Sequence, residues 1–476
     1  MNYWLFLPEF SLTALAFLVL ALDLFLPQGK KEYLVPVASL GLLVIMGILV
    51  AMRQEEASFY NGLFLVDSYA FFFKLFFLAL GFIIILAAKD FVKKNLSHSG
   101  EFYGLILFSV LAMMLMASSG ELIMAYISLE LSSFGFYILT AYARDDLKSN
   151  EAGVKYILLG AFASALLLYG MSLIYGLVGS TGFEEIALAL GDGSGMQPGL
   201  VVALVMVIAG LGFKIAAVPF HSWAPDVYEG APMPVTAYLA VASKAAGLVL
   251  LIRFFALAFA PVADQWQGII IAVSAVTMTL GNLVAIPQRN IKRLLAYSSI
   301  GQVGYLLVGV AAFSPLAIQG VVFHLVGYAA STLAAFVCVI AYFNLTRKEE
   351  IPDFAGLAER SPFLALVFSA SLFSLAGLPF LAGFTTKFYL FTAAAEQGLL
   401  WLVALAVVNS LISLYYYLLI IKQMYISPTQ ETSKLPLSNS MKGVLGILFL
   451  AMVFIGVYPA PLLSLIHTAV QALFLG

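Results

Sequence analysis

The chain has 476 residues, of which 63% are hydrophobic and only 10% charged, with a formal net charge of −2. Soluble domains carry roughly 25% charged residues, so a water-soluble enzyme is excluded, and the charge balance argues against nucleic-acid or polybasic membrane-surface binding. The single cysteine, Cys338, excludes a disulfide framework and an iron–sulfur cluster held by this chain alone, which takes about four thiolates.

A membrane-spanning helix needs about 20 consecutive, mostly apolar residues. The sequence predicts fourteen such runs, near 3–26, 33–52, 68–89, 102–117, 121–142, 153–178, 199–218, 234–260, 266–286, 293–312, 317–343, 361–396, 398–421 and 441–458. The start lacks the basic n-region of a cleaved signal peptide and is expected to stay on as the first span. The tail 459–476 is apolar but broken by Pro459 and Pro461, and reads as an interfacial piece. Continuous apolar runs, rather than alternating ones, exclude a transmembrane barrel. The expected fold is an all-α polytopic membrane protein.

Two spans are irregular. The seventh ends in Lys214-Ile-Ala-Ala-Val-Pro219, and the twelfth is interrupted by Ala376-Gly377-Leu378-Pro379. Proline lacks an N–H and clashes with the carbonyl four residues back, here those of Ile215 and Leu375. Broken membrane helices are tolerated where they line a cavity or pack in protein. Paired breaks in two halves of a chain point to an ion pathway built from inverted repeats. Spans 4–8 and 9–13 are the expected repeats, five helices each, and the odd number inverts the second. The expected division is a three-helix segment (1–100), a first repeat (101–262), a second, inverted repeat (263–425), and a C-terminal helix with its tail (426–476).

Basic residues set the orientation. Lys30, Lys31, Lys89, Lys93, Lys94, Arg144, Lys148, Lys155, Arg289, Lys292, Arg293, Arg347, Lys348, Arg360, Lys422, Lys434 and Lys442 fall in odd-numbered connections, against Arg53 and Arg253 on the other side. The positive-inside rule then places both termini outside.

A charge at the centre of a span costs about 2.5–3.5 kcal/mol on insertion scales. Glu130, Lys214, Lys244 and Lys387 lie deep by their distance along the runs, at about 1.5 Å per residue. Three lysines and one glutamate do not pair off as fixed ion pairs. Burial disfavours the charged form of a lysine and a nearby carboxylate favours it, so such a set reads as groups that exchange protons. His324, with Tyr328, Ser331 and Thr332 one and two turns on, is either a hydrogen-bonded packing residue or a relay member. Lys155 begins the sixth span and is a weaker relay candidate, while Lys74, close to the external end, is expected to snorkel. The run Gly191-Asp-Gly-Ser-Gly195 is no dinucleotide fingerprint and no strand precedes it. No cofactor or metal is expected on this chain.

Several segments resemble the subunit N family of bacterial NADH-quinone oxidoreductase (respiratory complex I). They are Glu101-Phe-Tyr-Gly-Leu105, Met116-Ala-Ser-Ser-Gly-Glu121, Ser128-Leu-Glu-Leu-Ser132, Gly212-Phe-Lys-Ile-Ala-Ala-Val-Pro-Phe-His221, Asn290-Ile-Lys-Arg-Leu-Leu-Ala-Tyr-Ser-Ser-Ile-Gly301 and Gly383-Phe-Thr-Thr-Lys387. The most specific is Trp223-Ala-Pro-Asp-Val-Tyr-Glu-Gly-Ala-Pro232. The resemblance implies an antiporter-like fold of fourteen helices with two inverted five-helix repeats. It implies Glu130 and Lys214 as an entry pair, Lys244 as the central lysine and Lys387 at the exit-side break, with His324 matching less closely. It further implies membrane-arm partner subunits, a bacterial inner membrane, and NADH, FMN, iron–sulfur clusters and quinone handled by other subunits. A subunit of a stand-alone cation/proton antiporter is the alternative; a purely structural scaffold is disfavoured by the four deep charges.

Overall fold

The structure, a computed structural model, describes residues 3–191, 198–429, 431 and 433–474. Asp192, Gly193, Ser194 and Gly195 of the glycine-rich run lie outside the described residues.

In chain order the helices begin with α1 (Leu7–Phe25), α2 (Leu34–Ala51), α3 (Ser68–Asn95), α4 (Ser99–Ala117), α5 (Leu122–Thr140), α6 (Leu147–Val178), α7 (Phe183–Gly191) and α8 (Pro198–Ile215). They continue with α9 (Trp223–Gly230), α10 (Met233–Tyr238), α11 (Lys244–Leu257), α12 (Ala263–Ala285), α13 (Ile291–Ala312) and α14 (Pro315–Thr346). The last are α15 (Leu357–Arg360), α16 (Pro362–Ala376), α17 (Ala382–Glu396), α18 (Leu400–Tyr425), α19 (Asn439–Val457) and α20 (Ala460–Gln471). Polar side chains fix several starts by accepting backbone N–H groups that a first helical turn leaves unpaired. Asp67 caps α3, Glu121 caps α5, Asn290 caps α13, and Ser314 caps α14.

Among the described residues, thirteen segments are long and apolar enough to cross a membrane. The difference from fourteen lies in the run 361–396, which forms two helices of 15 residues, α16 and α17, each below a spanning length. Gly377 ends α16 at φ +91°, a left-handed cap that glycine adopts without steric cost. At Gly383 a Cβ would lie 1.7 Å from the Ser374 carbonyl oxygen, so only glycine lets α17 approach α16 this closely. The tail also departs from expectation. Pro459 precedes α20 and Pro461 sits in its first turn, where a missing N–H breaks no bond, so the prolines start a helix instead of interrupting one.

Between α2 and α3 stands a hairpin of β1 (Ala57–Phe59) and β2 (Phe64–Val66), paired antiparallel with Ser58 opposite Leu65. Tyr60, Asn61 and Gly62 turn it at positive φ. Its backbone is tied to the end of α4, through Leu65 N to Ser118 O at 2.8 Å and Gly120 N to Leu63 O at 3.0 Å.

The chain divides into two compact units. The first comprises Met1–Ile215, Ala242–Trp266 and Leu465–Gly476. Within it α6 runs along α8, α4 packs on α1, α3 and α5, and α11 lies against α8 and α4. The second comprises Ala216–Val241 and Gln267–Ser464. At its centre stands α14, ringed by α10, α13, α16, α17 and α19 and buried almost continuously from Ala317 to Tyr342. An all-round apolar helix is stable only when buried this way. At one edge of this unit Glu431 bridges Lys348 at 2.7 Å and Arg360 at 2.8 Å. Hydrogen bonding to Lys348 and the charge of Arg360 hold the Glu431 carboxyl below its ordinary value.

Candidate functional site

In the first unit, α5 and α8 bring Glu130 and Lys214 to one region, each held by a serine. Lys214 is 3% exposed, and its Nζ donates to Ser133 Oγ at 2.9 Å and lies 5.3 Å from the centre of the Phe136 ring. Glu130 is half-buried, and its carboxylate accepts from Ser164 Oγ on α6. Among the described residues no ion pair within 4 Å joins the two. Ser133, Ser164, Tyr137, Tyr156, Leu129 and Lys214 line a cavity of about 10 Å³, room for a single water-sized sphere. Gly160 makes room for the Tyr137 hydroxyl, which a Cβ there would overlap.

Lys244, 1% exposed, opens α11 directly after a π-helical turn over Leu239–Ser243. Such turns inside α-helices are frequent at functional sites. Three residues on, and hence on the same face, Gly247 lies against the Lys214 stem; a Cβ there would come 3.0 Å from Lys214 Cγ. Lys244 thus stands on the helix face packed against α8. Lys155 is more exposed than these groups. Its side chain is 42% exposed and pairs with Glu151 one turn earlier at 2.8 Å, as expected of a charge at a span's edge.

In the second unit the break between α16 and α17 does the positioning. Pro379 leaves the Leu375 carbonyl without its helical donor, and that oxygen accepts from Lys387 Nζ at 2.9 Å and from Gln302 Nε2 at 3.1 Å. Lys387 Nζ also donates to Ser410 Oγ at 2.9 Å and faces the Tyr305 ring at 4.6 Å. The carbonyl of Ala376, one residue on, accepts from Ser410 Oγ at 3.0 Å. At the other break, Ala216 takes φ +59° and Val218 N donates to Thr277 Oγ1 at 3.0 Å, while Pro219 itself carries no donor.

His324 is wholly buried on α14, with Nδ1 3.0 Å from Thr386 Oγ1, the neighbour of Lys387. The Thr386 hydroxyl donates to Ala382 O at 2.8 Å, so it accepts from an Nδ1–H of the ring. This tautomer leaves Nε2 as a buried acceptor without a hydrogen bond. Ser331, two turns on, bonds Ser374 Oγ at 2.7 Å, and Tyr328 donates to Ala240 O at 2.6 Å.

Lys74 and Arg253 are among the buried cations outside these sets. Lys74 does not snorkel: it is 3% exposed, pairs with Glu9 on α1 at 2.7 Å and lies over the Phe64 ring of the hairpin. Arg253, fully buried, binds Asp67 at 2.5 Å and Ser119 O at 2.9 Å. The sequence carries no local signal for these pairings, because each joins helices remote along the chain. Tyr305, Asn282, Gln302 and Ser410 around Lys387 were equally silent, being ordinary residues of membrane helices.

Residues 119–413 match the family described as NADH:quinone oxidoreductase/Mrp antiporter, TM. The broken helices and buried lysines are therefore those of an antiporter-like membrane subunit. A curated NADH-quinone oxidoreductase subunit N from Desulforamulus reducens is 42% identical over 474 residues, covering 100% of this chain and 99% of the relative. This chain belongs to the NADH-quinone oxidoreductase subunit N family. Among solved structures, a chain of respiratory complex I from Thermus thermophilus with bound aureothin superposes with a TM-score of 0.81 at 30% identity, covering 96% of this chain and 98% of that one. A chain of the Mrp complex from Dietzia sp. shares the fold, with a TM-score of 0.88 at 21% identity over 100% of this chain and 98% of that one.

Proposed function

We propose that this chain moves protons across the membrane as the subunit N of an NADH-quinone oxidoreductase, with Glu130, Lys214 and Lys244 as the relay groups of the first unit and His324 and Lys387 those of the second. One observation carries the reading: buried cations in this chain are held in two different ways. Lys74, Arg253 and Lys292 each sit on a carboxylate, of Glu9, Asp67 and Glu349 respectively. Removing a proton from such a lysine would strand a buried carboxylate charge, at a cost of several kcal/mol. Lys214 and Lys387 are held instead by hydroxyls, a carbonyl and aromatic faces. An amine on neutral partners can lose its proton and leave no unpaired charge behind.

In this reading the Glu130 carboxylate, half-buried beside Ser164, is the group whose charge biases Lys214, and His324 Nε2 is an acceptor near Lys387. Lys155, at a span's edge, serves as a surface charge. Spans 4–8 and 9–13 are the two inverted repeats, over 101–262 and 263–425, and the two helix breaks are their corresponding positions. The partners are the other antiporter-like and small membrane-arm subunits. Electron transfer from NADH through FMN and iron–sulfur clusters to quinone belongs to other subunits of the complex. The membrane is a bacterial inner membrane, with both termini on its outer side. The likeness to the Mrp chain, at 21% identity, speaks for the fold alone.

The test is Lys387→Arg. Arginine keeps the positive charge but does not deprotonate in proteins. The variant should assemble and oxidise NADH, yet lose most proton movement in membrane vesicles, normalised to assembled complex. A fixed structural charge predicts the opposite, with arginine tolerated; wild-type pumping by Lys387→Arg would refute the relay role.

A further inference from the structure

The side chains that surround Lys387 form a second layer that is itself closed. Tyr305 on α13 is wholly buried and presents its ring face to Lys387 Nζ at 4.6 Å. Its hydroxyl accepts from Asn282 Nδ2 on α12 at 3.0 Å. The other Asn282 amide proton goes to Met278 O at 2.7 Å, and its Oδ1 accepts from Tyr416 on α18 at 2.9 Å. Both donors and the acceptor of the amide are thereby committed, which fixes its orientation. The Tyr416 ring meets that of Tyr417 at 4.5 Å, and the Tyr417 hydroxyl bonds Ser298 on α13. On another edge the Tyr305 ring is met by Phe391 in a T-shaped contact at 6.0 Å. Asn282, Tyr305, Tyr416, Tyr417 and Ser298 are all buried. The ring is thus held at its hydroxyl by Asn282 and at one edge by Phe391, while its face meets the ammonium.

We infer that Tyr305 is a positioning residue for Lys387: its buried ring face, packed against Phe391, holds the Lys387 ammonium at the Leu375 carbonyl and Ser410. This rests on the reading of Lys387 as a proton-exchanging group. An aromatic face attracts a cation through its quadrupole, but it is not a base. It can therefore hold the ammonium in place without taking the proton, which a carboxylate at the same position would hold as a fixed pair.

Tyr305→Leu, Tyr305→Phe and Lys387→Ala are compared in the intact complex in membrane vesicles, reading assembled complex, NADH oxidation and protons moved per NADH oxidised. Tyr305→Leu removes the ring face and is expected to assemble and oxidise NADH while the proton-to-NADH ratio falls about tenfold. Tyr305→Phe keeps the face and should stay within about twofold of wild type, a rescue that a purely structural role of the hydroxyl network would not give. Wild-type pumping by Tyr305→Leu, or an equal fall in Tyr305→Phe, overturns the inference. If Tyr305→Leu fails to assemble, Tyr305→Met, apolar and adaptable in shape, decides by the same criterion. Lys387→Ala separates the two levels. Normal pumping there overturns the relay reading and this inference together, whereas loss there beside normal pumping in Tyr305→Leu overturns this inference alone.

Discussion

Glu130 and Asp67 are both carboxylates of the first unit, yet they are held by different chemistry. Glu130 accepts from a serine hydroxyl and has no cation on it within 4 Å among the described residues, whereas Asp67 takes the guanidinium of the fully buried Arg253 and caps α3 as well. Removing the first leaves no buried charge without a partner; removing the second does. Asp67→Ala should therefore act on stability, by about 3 kcal/mol for the stranded arginine, seen as less assembled complex with pumping per complex unchanged. Glu130→Ala should act on function, with assembly near wild type and proton movement reduced at least about tenfold, a factor worth some 1.4 kcal/mol of bias on its neighbour. Vesicle pumping set against complex content on a native gel reads both. A Glu130→Ala complex that pumps normally, or an Asp67→Ala complex that assembles fully but pumps poorly, would reverse the assignment of the two carboxylates.

At the scale of elements, the helix break of the second unit depends on close approach as much as on proline. A methyl at Gly383 would stand 1.7 Å from the Ser374 carbonyl oxygen, and that atom belongs to the backbone of α16 and cannot swing aside. Gly443 on α19 has nothing within 4 Å. Gly383→Ala is expected to cost about 1–3 kcal/mol by forcing α17 off α16, while Gly443→Ala should be neutral or stabilising by up to about 1 kcal/mol through helix propensity. Thermal unfolding of the two purified variant complexes in one detergent compares them, and a midpoint for Gly383→Ala at or above that of Gly443→Ala would show that the contact is not needed. The break itself was legible in the sequence, because Gly377, Pro379 and an overlong apolar run are local signals. So were the deep lysines, since a charge inside an apolar run stands out wherever its helix packs. The acceptors of Lys387 were half legible: the Leu375 carbonyl follows from Pro379, but Ser410 and Tyr305 arrive from helices whose packing no local pattern encodes. The hairpin over Ala57–Val66 was missed for the same reason, as three-residue strands carry too little alternation and lean on the end of α4 for their hydrogen bonds. In α20 the prolines misled, because their effect depends on whether they fall in a first turn or further in.

For the whole molecule, orientation decides which side supplies protons and which receives them. The basic residues gather in the odd-numbered connections, with Arg53 and Arg253 as the exceptions. Arg253 is a weak exception once its surroundings are known. Buried on Asp67, it presents no free charge to a membrane surface and carries little weight against the asymmetry. Only Arg53 then opposes the bias of the basic connections, and the proposed orientation puts the hairpin between α2 and α3 outside and the turn between α3 and α4 in the cytoplasm. Gln54 and Ser97 are exposed in these two connections, within the same unit and separated by α3 alone. Cys338 is the chain's single cysteine and is buried, so Cys338→Ala gives a background without thiols. In that background Gln54→Cys should react with an impermeant thiol reagent in intact cells. Ser97→Cys should react only in inverted vesicles, where the cytoplasmic face is exposed. Because one helix separates the two positions, they must label from opposite sides in any topology in which α3 spans. Labelling of both from one side would remove α3 from the membrane; the swapped pattern would invert the chain, and with it the direction of the proposed relay.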